Sequence, residues 1–167
     1  MNRIKVLLEN LRRGVVTEQY PFKPIRVPER LRGKPVIDPD KCAGCGACVN
    51  ACPPNALTMH DDKHSSMRFI VLFIGRCIYC GKCEETCPFG AIRLTREFEL
   101  AAESREDLYQ VVGLRLYHCP LCGEPFTTVR LIKSVVEALP EEQRAAATLC
   151  PRCRESVTAH YRSYARR

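Results

Sequence analysis

Eight of the twelve cysteines repeat one spacing twice along the chain. The two runs read Cys42-x2-Cys45-x2-Cys48-x3-Cys52-Pro53 and Cys77-x2-Cys80-x2-Cys83-x3-Cys87-Pro88. This is the spacing that ligates pairs of 4Fe-4S clusters. Two-residue gaps let one tight loop deliver three thiolates to neighbouring corners of a cubane. The runs therefore predict two 4Fe-4S clusters, and with them an electron carrier.

The fourth thiolate of each cubane must come from outside its three-cysteine loop. In two-cluster chains with this motif, the cysteine that precedes proline ligates the other cluster. The predicted ligands are therefore Cys42, Cys45, Cys48 and Cys87 for cluster 1, and Cys77, Cys80, Cys83 and Cys52 for cluster 2. Zinc or a disulfide framework would also use cysteines, but neither requires this spacing followed by Cys-Pro, twice.

The two runs form one internal repeat with a period of 35 residues. The repeat continues past the cysteines, matching Pro53 with Pro88, Ala56 with Ala91 and Leu57 with Ile92. It predicts two pseudo-symmetric halves, each with a short strand, a cluster loop and a helical turn. Small residues lie between the thiols, where the backbone must approach inorganic sulfide: Ala43, Gly44, Gly46, Ala47 and Gly81.

The remaining cysteines form two Cys-x2-Cys pairs, Cys119 with Cys122 and Cys150 with Cys153. Two such pairs predict one tetrahedral metal site. Zinc is the favoured occupant because it is redox-inert, although mononuclear iron fits the same geometry. Between the pairs, apolar periodicity and Pro140 predict a helix over 129–139 and a shorter one over 141–148. We interpret this region as a zinc-ribbon-like element with helices.

The segment before the clusters divides into a helix and an extended strap. Residues 3–16 predict an amphipathic helix, because its apolar residues recur at helical spacing: Ile4, Leu7, Leu8, Leu11 and Val15. Residues 20–39 contain five prolines and predict a strap without regular structure. A basic amphipathic helix docks on a partner or an anionic membrane surface, or packs on its own domain; we favour docking.

Further strands and one more helix are predicted around the second run. Residues 56–60 and 68–74 predict a hairpin around a polar turn, and residues 91–94 predict another strand. Thr95 then resembles an N-cap for a helix over 96–112, which Gly113 would end. The predicted fold class is α+β: a two-cluster (8Fe-8S) bacterial ferredoxin-like fold with the additions at both ends. The predicted domains are 1–35, 36–95 and 96–167.

Charge distribution and the motifs missing from the sequence exclude several classes of function. The net charge of +7 is concentrated at both ends, which include Arg12, Arg13, Arg166 and Arg167, and we interpret both ends as docking surfaces. We expect no nucleic-acid partner, because no recognition module accompanies these charges. No signal peptide or spanning helix is predicted, and cysteines in metal-like spacings suit a reducing compartment. The chain has no phosphate loop, dinucleotide fingerprint or Ser-His-Asp grouping, so we expect no catalytic residues.

The combined pattern resembles the iron-sulfur subunit of formate hydrogenlyase and related group 4 membrane-bound nickel-iron hydrogenases. The resemblance rests on the cysteine runs together with Tyr20-Pro21, residues 32–35, residues 96–101 and the late cysteine pairs. That family is similar to the two-cluster subunit of respiratory complex I, which has the same eight cysteines. The late pairs favour the hydrogenlyase branch, because complex I members do not usually carry them.

The resemblance implies a place in an electron-transfer chain of a hetero-oligomeric complex. Electrons would enter from an upstream ferredoxin-like or dehydrogenase partner and leave towards the hydrogenase small and large subunits, where catalysis occurs. The N-terminal helix and strap would lie against membrane-arm and hydrogenase subunits, with the chain peripheral on the cytoplasmic face. The alternatives are a complex I-type subunit that relays electrons towards quinone, and a stand-alone ferredoxin. The sequence leaves open the upstream donor and the reduction potentials.

Overall fold

The computed structural model describes residues 3–15 and 17–164, with side chains described up to residue 159. Val16, at the end of the first predicted helix, and the basic Arg166 and Arg167 lie outside the described residues. The chain divides into two compact units, Met1–Leu31 and Arg32–Arg167. The three domains predicted from the sequence stay a prediction.

The first unit contains one helix, α1, which spans Arg3–Arg13. The helix ends at Arg13, before the predicted end, where Gly14 takes a left-handed φ of 64°. None of its residues is buried. The apolar side chains of the predicted face are exposed, from 54 % for Leu8 to 87 % for Val15. Residues 17–31 contain neither helix nor strand, as predicted for this part of the strap.

The second unit begins with a strand that the sequence analysis missed. Strand β1, Pro35–Ile37, pairs antiparallel with a strand further along the chain, Ile92–Leu94. The prediction of an unstructured strap over 20–39 was therefore wrong at its end. Pro35 is the first residue of the strand, a position where the missing N–H costs little, and the β-branched Val36 and Ile37 suit extended backbone.

The predicted hairpin between the two cysteine runs is present. Strand β2, Leu57–Asp62, pairs with β3, Met67–Phe73, and the Ile92–Leu94 strand is β4. The repeat period relates β1 to β3 and β2 to β4. Each strand before a cysteine loop therefore pairs with the strand that follows the other loop. Buried Ile37 and Leu72 occupy equivalent positions and join the same apolar core.

Two short helices follow the cysteine loops. Helix α2, Ala47–Asn50, begins after Gly46, and α3, Lys82–Thr86, begins after Gly81. These glycines are 35 residues apart and have similar left-handed φ values, 76° and 81°. The third cysteine of each run lies in the first turn of its helix, so the same local turn presents it in both halves. The predicted repeat of loop and helical turn agrees with this arrangement.

The predicted helix over 96–112 is wrong. Residues 105–108 form a single 3-10 turn, and Tyr109–His118 form strand β5, which pairs antiparallel with β3. The strand buries alternate residues, Val112, Leu114 and Leu116, a period of two that the helical interpretation overlooked. Thr95 caps no helix; its hydroxyl donates to the carbonyl of Lys34 at 2.8 Å. Gly113 lies within β5, opposite Phe69.

The chain ends in one strand and three helices. Strand β6, Pro125–Thr128, completes a sheet of order β2-β3-β5-β6. Helices α4, Val129–Ala138, and α5, Glu141–Ala147, agree with the two predicted helices within two residues. Helix α6, Pro151–Tyr164, was not predicted. It begins inside the last cysteine pair, where Pro151 suits the first turn because that position lacks an intrahelical N–H partner.

Candidate metal centres

A small cavity lies beneath the first loop, residues 42–48. Its lining includes four cysteines: Cys42, Cys45, Cys48 and Cys87. Three come from the first run and the fourth from the second run. The structure therefore brings together the four thiols predicted for cluster 1, while their ligation stays a prediction.

A second small cavity lies beneath the second loop, residues 77–83. Its cysteines are Cys52, Cys77, Cys80 and Cys83, so the exchange is reciprocal. This grouping is the one that crossed ligation requires.

The backbone donates hydrogen bonds to thiols at equivalent positions of the two halves. The N–H of Ala56 donates to Cys52 Sγ at 3.2 Å, and that of Ala91 donates to Cys87 Sγ at 3.3 Å. These are the exchanged cysteines of each run. Such donors stabilise sulfur that carries negative charge, as thiolate ligands of a cluster do.

Two thiols in the cavities, those of Cys48 and Cys83, are hard to ionise without a cation. Burial raises the pKa of Cys48 to about 12 and that of Cys83 to about 11, because removal from water disfavours the thiolate. The other lining residues include apolar Ile37, Ile70 and Leu72, which exclude water. Four thiols in an apolar cavity fit a 4Fe-4S cluster, whose iron supplies the positive charge that thiolates need.

The C-terminal cysteines also converge on one point. The sulfurs of Cys119, Cys122, Cys150 and Cys153 all lie within 4.8 Å of one another. Cys122 Sγ and Cys150 Sγ are 3.7 Å apart. A tetrahedral site with metal–sulfur bonds of about 2.3 Å has sulfur–sulfur edges of roughly 3.8 Å. The spacing therefore fits a single tetrahedral metal ion, as the sequence predicted for these four residues.

The two pairs are presented by different elements. Cys119 and Cys122 lie in the turn between β5 and β6, where Gly123 N–H donates to the Cys119 carbonyl at 2.8 Å. Cys150 and Cys153 lie at the start of α6, and the N–H of Cys153 donates to Cys150 Sγ at 3.4 Å. The second pair thus begins a helix, whereas a zinc ribbon would place it in a second hairpin turn.

One of these four thiols is prepared to bind a cation. Backbone N–H groups, first that of Cys150, lower the pKa of buried Cys119 to about 6. The thiol of Cys153 has its pKa raised to about 12, first by its hydrogen bond to the Cys150 thiol. The backbone N–H groups around Cys119 therefore favour its thiolate, which is the form that binds a metal ion.

The first loop is held from outside by three side chains. Arg130 Nη1 donates to the carbonyl of Cys42 at 3.2 Å, the Thr128 hydroxyl donates to Ala43, and Arg68 Nη1 donates to Gly44 at 2.9 Å. Arg130 also donates to the carbonyls of Pro39 and Asp40. Three consecutive carbonyls of the loop thus accept hydrogen bonds from β3, from the end of β6 and from α4.

The sequence analysis did not identify these three residues. The sequence contained one indication of a role for Arg68: it is the single charged residue in the otherwise apolar strand β3, and a buried charge needs a partner. Buried Arg68 has one: Nε donates to Asp61 Oδ1 at 2.6 Å and Nη2 donates to Oδ2 at 2.7 Å. Thr128 and Arg130 gave no signal, since their contacts with the loop are separated by more than 80 residues.

Within the described residues, no helix has the length and apolar content needed to cross a bilayer.

Comparison with known proteins identifies the cysteine runs independently. Residues 41–91 match the family described as 4Fe-4S dicluster domain. Formate hydrogenlyase subunit 6 of Escherichia coli (strain K12) is 40% identical over 151 residues, which cover 86% of this chain and 84% of that protein. The likeness therefore extends well beyond the cluster loops.

Other similar proteins cover less of the chain. NAD(P)H-quinone oxidoreductase subunit I of Prochlorococcus marinus (strain AS9601) is 40% identical over 112 residues, which cover 64% of this chain and 54% of that protein. The chain thus spans about half the length of that relative. A chain in the structure of the membrane-bound sulfane sulfur reductase, an archaeal respiratory membrane complex, aligns with TM-score 0.46 and 27% identity, covering 65% of this chain and 58% of that one.

Proposed function

This chain belongs to the family of formate hydrogenlyase subunit 6, and we propose that it relays electrons through two 4Fe-4S clusters inside a larger redox complex. Two cavities carry this proposal, each lined by three cysteines of one run and one of the other. A bound 4Fe-4S cluster supplies a site that gains and loses one electron. The chain's cysteines hold it, and its apolar core excludes water.

We infer that the destination of the electrons is a nickel-iron hydrogenase. The similarity to a formate hydrogenlyase subunit supports this, because it covers 86% of this chain and 84% of that protein. In this role the chain has no catalytic residues of its own. Its partners are the hydrogenase small and large subunits, an upstream ferredoxin-like or dehydrogenase donor, and membrane-arm subunits.

We propose that α1 attaches the chain to that assembly at the cytoplasmic face of the membrane. The helix exposes an apolar face and ends in the basic residues Arg12 and Arg13. Exposure of an apolar face to water is unfavourable. Docking against a subunit or the membrane interface removes that surface from water and so stabilises the bound state. The chain is peripheral in this arrangement.

We propose that the C-terminal site holds one zinc ion with a structural role. Four thiols at tetrahedral spacing would fill all four coordination positions of a zinc ion, so that none is left for a substrate. Mononuclear iron would use the same four ligands. Metal analysis of the purified chain separates the two.

A second candidate is a complex I-type subunit that relays electrons towards quinone. The 40% identity to NAD(P)H-quinone oxidoreductase subunit I favours it, but this match covers 64% of the chain. Both candidates use the same two clusters. The accompanying catalytic subunit distinguishes them.

The proposed relay is tested with full-length chain reconstituted anaerobically with iron and sulfide. We expect about eight irons per chain from two cubanes, and a paramagnetic signal after reduction with dithionite. Much less iron, or no such signal, would overturn the relay. Purification of the native complex then tests the destination: a nickel-containing large subunit supports the hydrogenase, and a quinone-reducing assembly supports the alternative.

A further inference from the structure

The three outer contacts of the first loop fix the direction of its peptide groups. In a planar trans peptide, the C=O of one residue and the N–H of the next point in opposite directions. The carbonyls of Cys42, Ala43 and Gly44 point to donors outside the loop. The N–H groups of the following residues therefore point away from these donors. The loop itself lines the cavity that the four thiols of this site share.

The direction of these N–H groups has an electronic consequence. Reduction adds one negative charge to a 4Fe-4S cluster, and hydrogen bonds to its sulfurs are one of the factors that set its potential. N–H groups held towards the cluster stabilise the reduced form. Positive side chains nearby act in the same direction, since attraction between opposite charges grows as the local dielectric falls.

We propose that Arg68, Thr128 and Arg130 are positioning residues of the first cluster, which hold the first loop with its N–H groups facing the cubane and so raise its reduction potential. We refer to these three residues as the loop bracket. The inference rests on the proposed function, because it requires a cubane bound by the first loop. The bracket residues touch the loop from outside and are not ligands.

The rigidity of the bracket follows from its own contacts. Thr128 is fully buried, and its hydroxyl also accepts from the N–H of Leu131, which fixes the start of α4. Arg68 is tied to Asp61 through two nitrogens, so its remaining nitrogen meets Gly44 with a fixed geometry. Gly44 leaves no space for a side chain beside the bracket: a Cβ there would lie 2.7 Å from the Leu114 side chain and 2.8 Å from that of Thr128.

The second loop has a different environment. Ile78, at the position equivalent to Ala43, is 60 % exposed, whereas Ala43 is 4 % exposed. A guanidinium also reaches this loop, but at another position: Arg32 Nη1 donates to the carbonyl of Cys80 at 3.0 Å. The bracket therefore distinguishes two clusters that the repeat would otherwise make alike. Exposed Arg32 offers a matched control for exposed Arg130.

The bracket also joins the first cluster to the C-terminal metal site. Thr128 and Arg130 lie between the two cysteine pairs in sequence, at the junction of β6 and α4. The β5–β6 turn that precedes them carries Cys119 and Cys122. The position of the bracket therefore depends on the region that the C-terminal metal holds together.

The test is a redox titration of full-length reconstituted chain, followed by electron paramagnetic resonance. We expect Arg130→Gln to shift one of the two reduction steps to lower potential. The equilibrium constant for reduction should fall about threefold to tenfold, or roughly 30 to 59 mV for one electron. Arg32→Gln should shift the other step. Thr128→Val should move the same step as Arg130→Gln, while Thr128→Ser, which retains the hydroxyl, should keep the wild-type potential.

The outcomes separate this inference from the proposed function. Wild-type chain that binds no cluster would overturn both. If the wild-type chain shows two reduction steps and Arg130→Gln moves neither of them, the bracket alone is overturned. The same conclusion follows if Arg130→Gln and Arg32→Gln shift the same step. If the Arg130→Gln variant loses iron, the reduction potentials of Thr128→Val and Thr128→Ser are compared instead. Equal potentials in these two variants would overturn the bracket.

Discussion

The side-chain amide of Gln110 forms both of its hydrogen bonds with the backbone of one residue, Ile37. The Ile37 N–H donates to Gln110 Oε1 at 3.1 Å, and Gln110 Nε2 donates to the Ile37 carbonyl at 2.9 Å. Gln110 lies at the start of β5 and Ile37 at the end of β1. A single side chain thus acts as a strand partner and joins the two sheets of the second unit.

This relationship predicts a stability loss on substitution of Gln110. Gln110→Leu leaves the N–H and carbonyl of buried Ile37 without this partner, which costs about 1–3 kcal/mol. The melting temperature of the cluster-loaded chain should fall by about 2–4 °C for each kcal/mol. Val111→Thr, at the exposed neighbouring position, is the control and should change it little. An unchanged melting temperature for Gln110→Leu would show that water replaces the amide.

The exchanged cysteines predict opposite effects of two equivalent substitutions. Cys52→Ala should perturb the cluster held mainly by Cys77, Cys80 and Cys83, because Cys52 lines that cavity. Cys87→Ala should perturb the cluster beneath the first loop. Paramagnetic resonance of each reduced variant, with iron analysis, distinguishes the two. If Cys52→Ala altered only the cluster beneath the first loop, the ligation would not be crossed.

Burial predicts that two ion pairs with similarly short contacts differ in their contribution to stability. Asp61→Asn removes the counter-charge of Arg68, which is buried, and should cost about 1–3 kcal/mol. Glu124→Gln breaks the exposed pair with Lys63, whose contact is 2.7 Å long, and should destabilise the chain much less, because water screens exposed charges. Guanidinium unfolding of both variants under nitrogen measures the difference. Equal midpoints would mean that burial of Arg68 has no energetic role.

The C-terminal site predicts a metal that is lost independently of the cubanes. Cys122→Ser removes one ligand, so the chain should lose its equivalent of zinc while it keeps most of its iron. Leu121→Ser, at the exposed neighbouring residue, should retain the zinc. Elemental analysis of both variants measures this. Zinc content that survives in Cys122→Ser would exclude a four-cysteine site.

The exposed face of α1 predicts a role in attachment rather than in folding. Leu7→Asp combined with Leu11→Asp places charge on this face and should release the chain from the membrane-bound complex. Iron content should be unchanged, because α1 has no buried residue. Glu9→Gln on the same helix is the control. Co-purification with membranes measures attachment, and a doubly substituted chain that still co-purifies would exclude this face as the docking surface.

The sequence predicted the two three-cysteine loops because their geometry is local, and the known use of the Cys-Pro cysteine in this motif predicted the fourth member of each group. Three thiols on one tight loop require fixed gaps, and Gly46 and Gly81 supply the same left-handed turn in both halves. The hairpin of β2 and β3 was also predictable, since its polar turn separates two apolar stretches. For the same reason, helix α4 was predicted from its apolar period within two residues of its bounds.

Where the sequence misled, partners distant along the chain decide the structure. Residues 96–112 contain good helix formers, yet β5 is a strand because β3 offers an open edge with matching buried residues. Pro35 suggested irregular backbone, and β4 makes it part of a strand. The loop bracket was invisible for a similar reason: Arg130 contacts a loop 88 residues earlier in the chain.

The reciprocal use of Cys52 and Cys87 means that neither half of the repeat is complete alone. A peptide with only one half would hold three thiols at a cubane and present the fourth outward. Such a peptide could complete its four thiols only by pairing with a second copy of itself, because each half supplies both a strand and a thiol to the other half. The modern polypeptide is equivalent to such a homodimer joined head to tail. Within one polypeptide the two halves can differ, and here the first loop is covered, with Ala43 4 % exposed, whereas the second is open, with Ile78 60 % exposed.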